Sequence, residues 1–268
     1  MWTGVIIGRI GSISSESWPT IWIMLEVNLI SFLPLLTQQW SVKKVRILYF
    51  IVQSVGSLSL LAGGVISDRT DSYRKWVTIG LLLKASLSPL HFWGAPLVIV
   101  LNKWMGYFFL TWQKAAPVAL LITVTTKYLL WIILIINRMV AVICGVGRKR
   151  LLLVIFFSGL LHMRWVMASP IRTAFSYFLL YTITTAPIFF THHNLPLLML
   201  NTAGLPPLTG FFIKLIVLQV TGTITRFFLL VLSVLLTYTY VRMFLLSSEK
   251  LSGVKRSTLL VCILGLIY

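Results

Sequence analysis

Apolar residues occur in long runs along this chain, and short segments rich in charged, proline or glycine residues separate one run from the next. A helix needs about 20 mainly apolar residues to cross the hydrocarbon core of a bilayer. The pattern therefore predicts an all-α fold, a polytopic transmembrane bundle of about eleven helices that forms one membrane domain over residues 1–268. The predicted helices are Trp2–Ile13, Trp18–Leu36, Val45–Ile66, Trp76–Trp93, Gly106–Thr125, Tyr128–Val146, Leu151–Ala168, Ile171–Phe190, Pro196–Val220, Thr225–Leu246 and Ser257–Tyr268.

The basic residues between these helices predict how the chain is oriented. If every helix crosses, alternate connections fall on opposite faces, and positive residues are enriched on the inner face. One face receives Lys43, Lys44, Arg46, Lys103, Arg148, Lys149, Arg150, Lys250, Lys255 and Arg256. The other receives Arg69, Arg74, Lys75, Lys127, Arg172 and Arg226. The first face is the more basic, so the N-terminus is predicted on the inner side of the membrane.

The composition agrees with lipid as the solvent. Charged residues make up 10% of the chain, whereas a soluble domain has about 25%. The net charge is +18, but the basic residues form no long run and no patch interleaved with aromatic residues, so nucleic acid is not an expected partner. Cys144 and Cys262 form no CxxC pair, which argues against zinc or iron–sulfur ligation by this chain. No cleaved targeting peptide is expected at the start.

Four ionisable residues lie inside predicted helices: Glu26, Lys84, Lys114 and Lys214. A charge near the middle of a spanning helix costs roughly 2.5 to 3.5 kcal/mol on insertion scales, and Glu26 lies about 12 Å into its helix at the usual helical rise. A buried lysine gives up its proton more readily than an exposed one because burial disfavours the charged form. A row of such groups can pass protons, and structural pairing with Glu26 is the alternative.

Helix-breaking residues accompany the three lysines. They are Pro89 after Lys84, Pro117 after Lys114, and the segment Gly204-Leu-Pro-Pro before Lys214. Broken backbone is tolerated at membrane depth where it is buried or lines a hydrated cavity, and discontinuous helices are common at the ion sites of transporters. An ordinary proline kink is the alternative at each position.

Polar side chains inside the apolar runs are candidates to connect these charges. His91 and His162 carry imidazoles, which titrate near neutral pH and suit a proton relay. For each of them, a structural histidine held by hydrogen bonds is an equally open interpretation. The serines of the predicted third and seventh helices, among them Ser57, Ser59 and Ser158, could join the charges through water.

Four segments resemble the sequence blocks of one family. They are Trp22 to Leu36 (WIMLEVNLISFLPLL), Lys84 to Trp93 (KASLSPLHFW), Thr111 to Pro117 (TWQKAAP) and Gly204 to Lys214 (GLPPLTGFFIK). In this order they are similar to subunit 2 of respiratory complex I, the proton-pumping NADH:ubiquinone oxidoreductase, in its mitochondrially encoded animal form. The Trp-Gln-Lys block distinguishes this subunit from the related antiporter-like subunits.

The resemblance implies an antiporter-like fold with broken helices in the mitochondrial inner membrane, where the inner side is the matrix. The roles it implies are an ion pair of Glu26 and Lys84 where protons enter, a central relay at Lys114, a terminal site at Lys214, and His91 and His162 on or near the connecting path. It implies that NADH, FMN, iron–sulfur clusters and ubiquinone belong to other subunits and that this chain binds no cofactor. The implied partners are other membrane-arm subunits, including neighbouring antiporter-like subunits, and membrane lipids.

The chain departs from the family pattern beside one candidate relay. The family usually has His-x-Gly-Trp, whereas this chain has His-Met-Arg-Trp at 162–165, which puts the cation of Arg164 next to His162. Two other functions also fit buried charges. An independent cation/proton antiporter would use the same fold without electron-transfer partners, and a purely structural membrane subunit would use the charges to hold its helices together.

Overall fold

The structure is a computed structural model that describes residues 1–37, 43–65, 71–145, 150–190, 195–205 and 208–248. All regular secondary structure in these ranges is helical, which confirms the all-α prediction. The helices are α1 (Trp2–Ser14), α2 (Trp18–Thr37), α3 (Lys43–Val65), α4 (Asp71–Ala85), α5 (Gly94–Val100), α6 (Lys103–Leu110), α7 (Trp112–Val124), α8 (Lys127–Gly145), α9 (Leu151–Ala168), α10 (Ile171–Phe190), α11 (Leu195–Ala203), α12 (Thr209–Val220) and α13 (Thr223–Ser248).

Most helix ends lie close to the ends of the apolar runs. The two helices α9 and α10 have the predicted bounds, and α1, α2, α3, α8 and α13 differ from the prediction by only a few residues. The predicted last helix, Ser257–Tyr268, lies outside the described residues. The length of an apolar run therefore locates these helices well, because the backbone groups of a segment in lipid must form their hydrogen bonds within the helix.

The structure confirms that the helices carrying the three lysines are broken, but the predicted bounds of these spans were wrong. Trp76–Trp93 was predicted as one helix, but α4 ends at Ala85, and the short helix α5 that follows was not predicted. Gly106–Thr125 is divided into α6 and α7, and Pro196–Val220 into α11 and α12. Ser86 and Gly204 have φ values of 53° and 75°, which lie in a region that a right-handed helix does not use.

Pro117 does not break its helix. It lies inside α7, which continues to Val124, and the interruption falls at Thr111, before Lys114 instead of after it. A proline removes one backbone donor, here the donor that would bond to the carbonyl of Gln113. The other hydrogen bonds continue the helix past this position, so a proline alone was not a sufficient sign of a break.

Six helices in the described part of the chain are long and apolar enough to cross a membrane. They are Trp18–Leu36, Lys43–Gly64, Lys103–Val124, Tyr128–Gly145, Leu151–Ala168 and Ile171–Phe190. The third of them includes both α6 and α7. The chain is thus a multi-pass membrane protein by the length and composition of its helices, while the predicted orientation remains a prediction.

The chain divides into two compact units, Met1–Ala174 and Phe175–Tyr268. In the first unit, neighbouring helices pack in pairs, α1 with α2, α3 with α4 and α8 with α9, and α4 also packs on α7. In the second unit, α11 packs against α12 and α13. The organisation as one membrane domain over 1–268 stays a prediction.

Glycines allow α3 and α4 to approach closely. A methyl group added at Gly80 would lie 2.7 Å from the carbonyl oxygen of Gly56 and 2.5 Å from Oγ of Ser59, and one at Gly63 would lie 2.6 Å from a methyl carbon of Val77. Small residues at a helix crossing let two backbones come together in a membrane. This packing brings the end of α4, with Lys84, against α3.

Candidate proton-transfer site

Glu26 and Lys84 form an ion pair between α2 and α4. Nζ of Lys84 lies 3.6 Å from Oε1 of Glu26. Lys84 is buried, with 4% of its surface exposed, and the side chain of Glu26 is 22% exposed. The interior is a poor solvent for a lone charge, so each member of the pair compensates for the burial of the other.

The end of α4 holds Lys84 in place through its backbone. Because α4 stops at Ala85, the carbonyl of Lys84 has no helical donor after it. Nε2 of Gln53 on α3 donates to this oxygen at 3.2 Å. A methyl group on Gly56 would lie 3.1 Å from Cγ of Lys84, so the α3 backbone borders the lysine stem. Sequence reasoning missed Gln53, whose only signal is an amide inside an apolar helix.

A buried asparagine connects the break after Lys84 to α8 and α9. Asn137 is fully buried, and its Oδ1 accepts a hydrogen bond of 3.2 Å from the backbone N–H of Ser88. Its Nδ2 donates to the carbonyl oxygen of Leu160 at 2.7 Å. Asn137 was also missed, although a lone asparagine in an apolar run needs hydrogen-bond partners when it is buried.

His91 lies in the segment between α4 and α5. Its Nδ1 is 3.3 Å from Oγ of Ser88 and 3.3 Å from the carbonyl oxygen of Pro89. Its ring meets the ring of Phe157 edge-on, with centroids 6.3 Å apart. Nδ1 of the imidazole therefore contacts the segment between α4 and α5, and the ring packs against Phe157 of α9.

Lys114 is almost completely buried in the first turn of α7, with 1% of its surface exposed. Its Nζ lies 5.2 Å from the centroid of the Phe156 ring, which places the ammonium over an aromatic face of α9. In the described ranges, this Nζ has no hydrogen-bond partner. A buried polar group of this kind needs a water molecule or a mobile partner to be satisfied.

The amide of Gln113, next to Lys114, binds two further helices. Oε1 of Gln113 accepts a hydrogen bond from Nδ2 of Asn28 on α2 at 3.0 Å, and it also accepts one from Nη2 of Arg9 on α1. Arg9 is buried, and the sequence analysis did not consider it. The available signal was a single arginine inside the apolar run Val5 to Ile13.

Lys214 lies on α12, in the second unit, and reaches back across the break after α11. Its Nζ donates a hydrogen bond to the carbonyl oxygen of Ala203, the last residue of α11. A methyl group added at Gly204 would lie 2.7 Å from this Nζ. The break thus frees a carbonyl that the lysine uses. Pro206 and Pro207 lie outside the described residues.

Asn201 joins the two half-helices beside Lys214. Its Oδ1 accepts hydrogen bonds of 3.0 Å from Oγ1 of Thr209 and from the backbone N–H of Gly210. It therefore satisfies donors at the start of α12, as a capping side chain would. A methyl group on Gly210 would collide with the carbonyl oxygen of Asn201.

The remaining candidates are buried as well. His162 is 4% exposed on α9, two residues before the buried Arg164. The hydroxyls of Ser57, Ser59 and Ser158 donate to carbonyls of their own helices, which is the usual bonding of a membrane serine. Within the described ranges, no three histidine, cysteine or carboxylate side chains are placed to hold a metal ion.

Comparison with known proteins connects this arrangement to one family, although no family model matches the chain. NADH-ubiquinone oxidoreductase chain 2 of Myxine glutinosa is 28% identical over 254 residues, which cover 79% of this chain and 73% of that protein. The proteins of the same name from Peropteryx kappleri and Hylobates lar are 28% and 26% identical over 80% and 82% of this chain, and 74% and 75% of their own lengths. These matches support the assignment of the chain to the NADH-ubiquinone oxidoreductase chain 2 family.

The matches confirm the resemblance inferred from the four sequence blocks. Those blocks contain both members of the ion pair, Lys114 with Gln113, and the break before Lys214. The segments that carry the resemblance therefore also carry the charged residues of the candidate site.

Proposed function

We propose that this chain carries protons through the membrane arm of complex I. Proteins of the chain 2 family are membrane subunits of this complex. The observation that supports this function most directly is the ion pair of Glu26 and Lys84, which joins α2 and α4 inside the apolar bundle. Lys114 and Lys214 are buried as well, and each one follows an interruption of its helix. Intramembrane ionisable residues mark proton and ion pathways more often than they serve as structural pairs.

The proposed mechanism begins with a change of charge at the Glu26 end of the path. Electron transfer in partner subunits alters the charge near Glu26 and Lys84, and the pair opens or closes in response. A positive charge brought close to a buried lysine favours loss of its proton, and its removal favours reloading. Lys114 and Lys214 take up and release protons in turn, and His91 and His162 assist transfer through water.

The redox chemistry belongs to other subunits in this proposal. NADH, FMN, the iron–sulfur clusters and ubiquinone bind to partners, and this chain responds to them through charge alone. Its neighbours are other membrane-arm subunits and lipids of the mitochondrial inner membrane. The N-terminus lies on the matrix side, as the distribution of basic residues predicts.

Two competing functions make different predictions about assembly. An independent cation/proton antiporter would work without electron-transfer partners. Mild detergent extraction of the source membranes, followed by native electrophoresis and staining for NADH dehydrogenase activity, separates this case from ours. We expect mass spectrometry to find the chain in the large active band. Its presence only in a small inactive band would contradict the proposal.

Substitutions in the assembled complex test the proton path itself. We expect Glu26→Gln and Lys214→Ala to lower the number of protons pumped per NADH oxidised, because each removes an ionisable group from the path. Lys75→Ala, at an exposed lysine of α4, is the matched control and should pump normally. Normal pumping by Glu26→Gln and Lys214→Ala would contradict the relay. If these variants gave less assembled complex, but the complex that did assemble pumped the normal number of protons per NADH, the structural subunit would be favoured.

A further inference from the structure

Arg9 is a buried cation that the proposed path does not yet use. It lies on α1 with 3% of its surface exposed. One of its nitrogens, Nη2, donates to Oε1 of Gln113. The two others, Nε and Nη1, have no hydrogen-bond partner among the residues that the structure describes. A buried guanidinium is costly unless its charge is compensated, so Arg9 needs a role beyond the packing of one helix.

The neighbours of Arg9 are the groups at the start of the proposed path. Gly8, the residue before Arg9, packs on α2: a methyl group there would lie 2.9 Å from the backbone nitrogen of Asn28, two residues after Glu26. Arg9 repels the ammonium of Lys84, whereas Glu26 attracts it. The helix α1 therefore brings a third charge to the turn of α2 that carries one member of the ion pair.

The contact with Gln113 links this third charge to the central lysine. Gln113 precedes Lys114 in the first turn of α7. Its side-chain oxygen is shared by Arg9 and Asn28, so the amide is fixed from α1 and α2 together. An amide held in this way fixes the first turn of α7, which carries Lys114.

Arg9 and Lys114 share one feature, which is that each has buried polar atoms without a hydrogen-bond partner in the described part of the chain. Besides Nε and Nη1 of Arg9, the buried Nζ of Lys114 forms no hydrogen bond within the described part of the chain. Buried polar groups in native proteins are satisfied by protein or by ordered water. These donors on α1 and α7 are groups that internal water molecules can satisfy.

We propose that Arg9 is a positioning residue of the proton path, a fixed positive charge that balances the ion pair of Glu26 and Lys84 and holds Gln113 beside Lys114. This inference rests on the proposed function. An arginine keeps its proton in proteins, so Arg9 passes no proton itself. It acts through its charge. When Glu26 is neutralised, the positive charges of Arg9 and Lys84 remain without a counter-charge and repel each other, which favours transfer of the Lys84 proton to the next group of the path.

Two substitutions separate the charge of Arg9 from its packing. Arg9→Gln keeps an amide that can bond to Gln113 but removes the charge, and Arg9→Lys keeps the charge but removes the planar fork. In assembled complex I, we expect Arg9→Gln to lower the protons pumped per NADH toward the value of Glu26→Gln. We expect Arg9→Lys to stay near the value of the unaltered chain.

The controls make each outcome decisive. Arg74→Gln, at an exposed arginine of α4, should leave pumping unchanged. Equal loss in Arg9→Gln and Arg9→Lys, in pumping or in assembly, would overturn the inference in favour of a packing role, and so would normal pumping by Arg9→Gln. If Glu26→Gln itself pumps normally, the proposed function fails first. If Glu26→Gln fails to pump while Arg9→Gln pumps normally, only the role of Arg9 is wrong.

Discussion

Nζ of Lys84 and Oε1 of Glu26 lie 3.6 Å apart, although the two residues belong to helices that are separated along the chain by α3. The glycine contacts between α3 and α4 bring Lys84 to this position. The pair is therefore a tertiary contact that depends on close backbone packing. Its strength and its role can be tested separately.

Removal of one charge of the pair should destabilise the subunit more than removal of both. Glu26→Gln leaves the Lys84 ammonium buried without its counter-charge, a loss of about 3 to 5 kcal/mol. The double variant Glu26→Gln with Lys84→Met leaves no charge and should recover most of this loss without recovering pumping. The inactivation temperature of the complex and the protons pumped per NADH measure the two effects. Recovery of pumping in the double variant would assign the pair a structural role only.

Close packing of α3 and α4 should be sensitive to a single methyl group. Gly80→Ala places a carbon 2.7 Å from the carbonyl oxygen of Gly56, and overpacking of this kind costs about 1 to 3 kcal/mol. Gly64→Ala is the matched control, because its methyl would meet only Cβ of Trp18 at 3.9 Å. We expect native electrophoresis to show less assembled complex for Gly80→Ala alone. Equal assembly of both variants would mean that the crossing can widen freely.

Asn137 should stabilise the break after Lys84. Asn137→Leu removes the acceptor for the buried N–H of Ser88, and an unsatisfied buried donor costs about 1 to 3 kcal/mol. We expect a lower inactivation temperature, and Ile135→Val at an exposed position of α8 serves as the control. An unchanged inactivation temperature for Asn137→Leu would show that water replaces the asparagine at no cost.

The turn between α11 and α12 should tolerate no side chain at Gly204. Gly204→Ala forces a positive φ on an alanine and puts its methyl against Nζ of Lys214, and a non-glycine residue in this region costs roughly 1 to 3 kcal/mol. Gly222→Ala is the control, since its nearest atom would be Oγ1 of Thr225 at 3.9 Å. We expect reduced pumping or assembly for Gly204→Ala only. Normal behaviour of both would disprove a fixed contact between this turn and Lys214.

The sequence predicted the helices well because their apolar runs are long and must satisfy their own backbone in lipid. It also predicted that Lys84, Lys114 and Lys214 are buried and that Glu26 lies inside an apolar helix, because charges in such positions are costly and therefore conspicuous. It misplaced the interruption near Lys114, because Pro117 removes only one donor, while the break falls at Thr111 in a segment without proline or glycine.

The polar partners of these charges were harder to foresee. Gln53, Asn137 and Asn201 each satisfy a backbone group that is free only because a helix stops nearby. Their roles depend on where the breaks fall, and the apolar pattern does not give that position to within one residue. Arg9 was missed for a different reason, since its partner Gln113 lies on a helix that is remote in sequence.

The position of Lys114 over the ring of Phe156 has a consequence for the proposed proton path. The face of a benzene ring attracts a cation through its electron distribution, but it carries no lone pair that can receive a proton. The group that steadies the ammonium is therefore unable to take its proton. On this side Lys114 is insulated, and any proton that it releases must leave by the faces of the side chain that the ring does not cover.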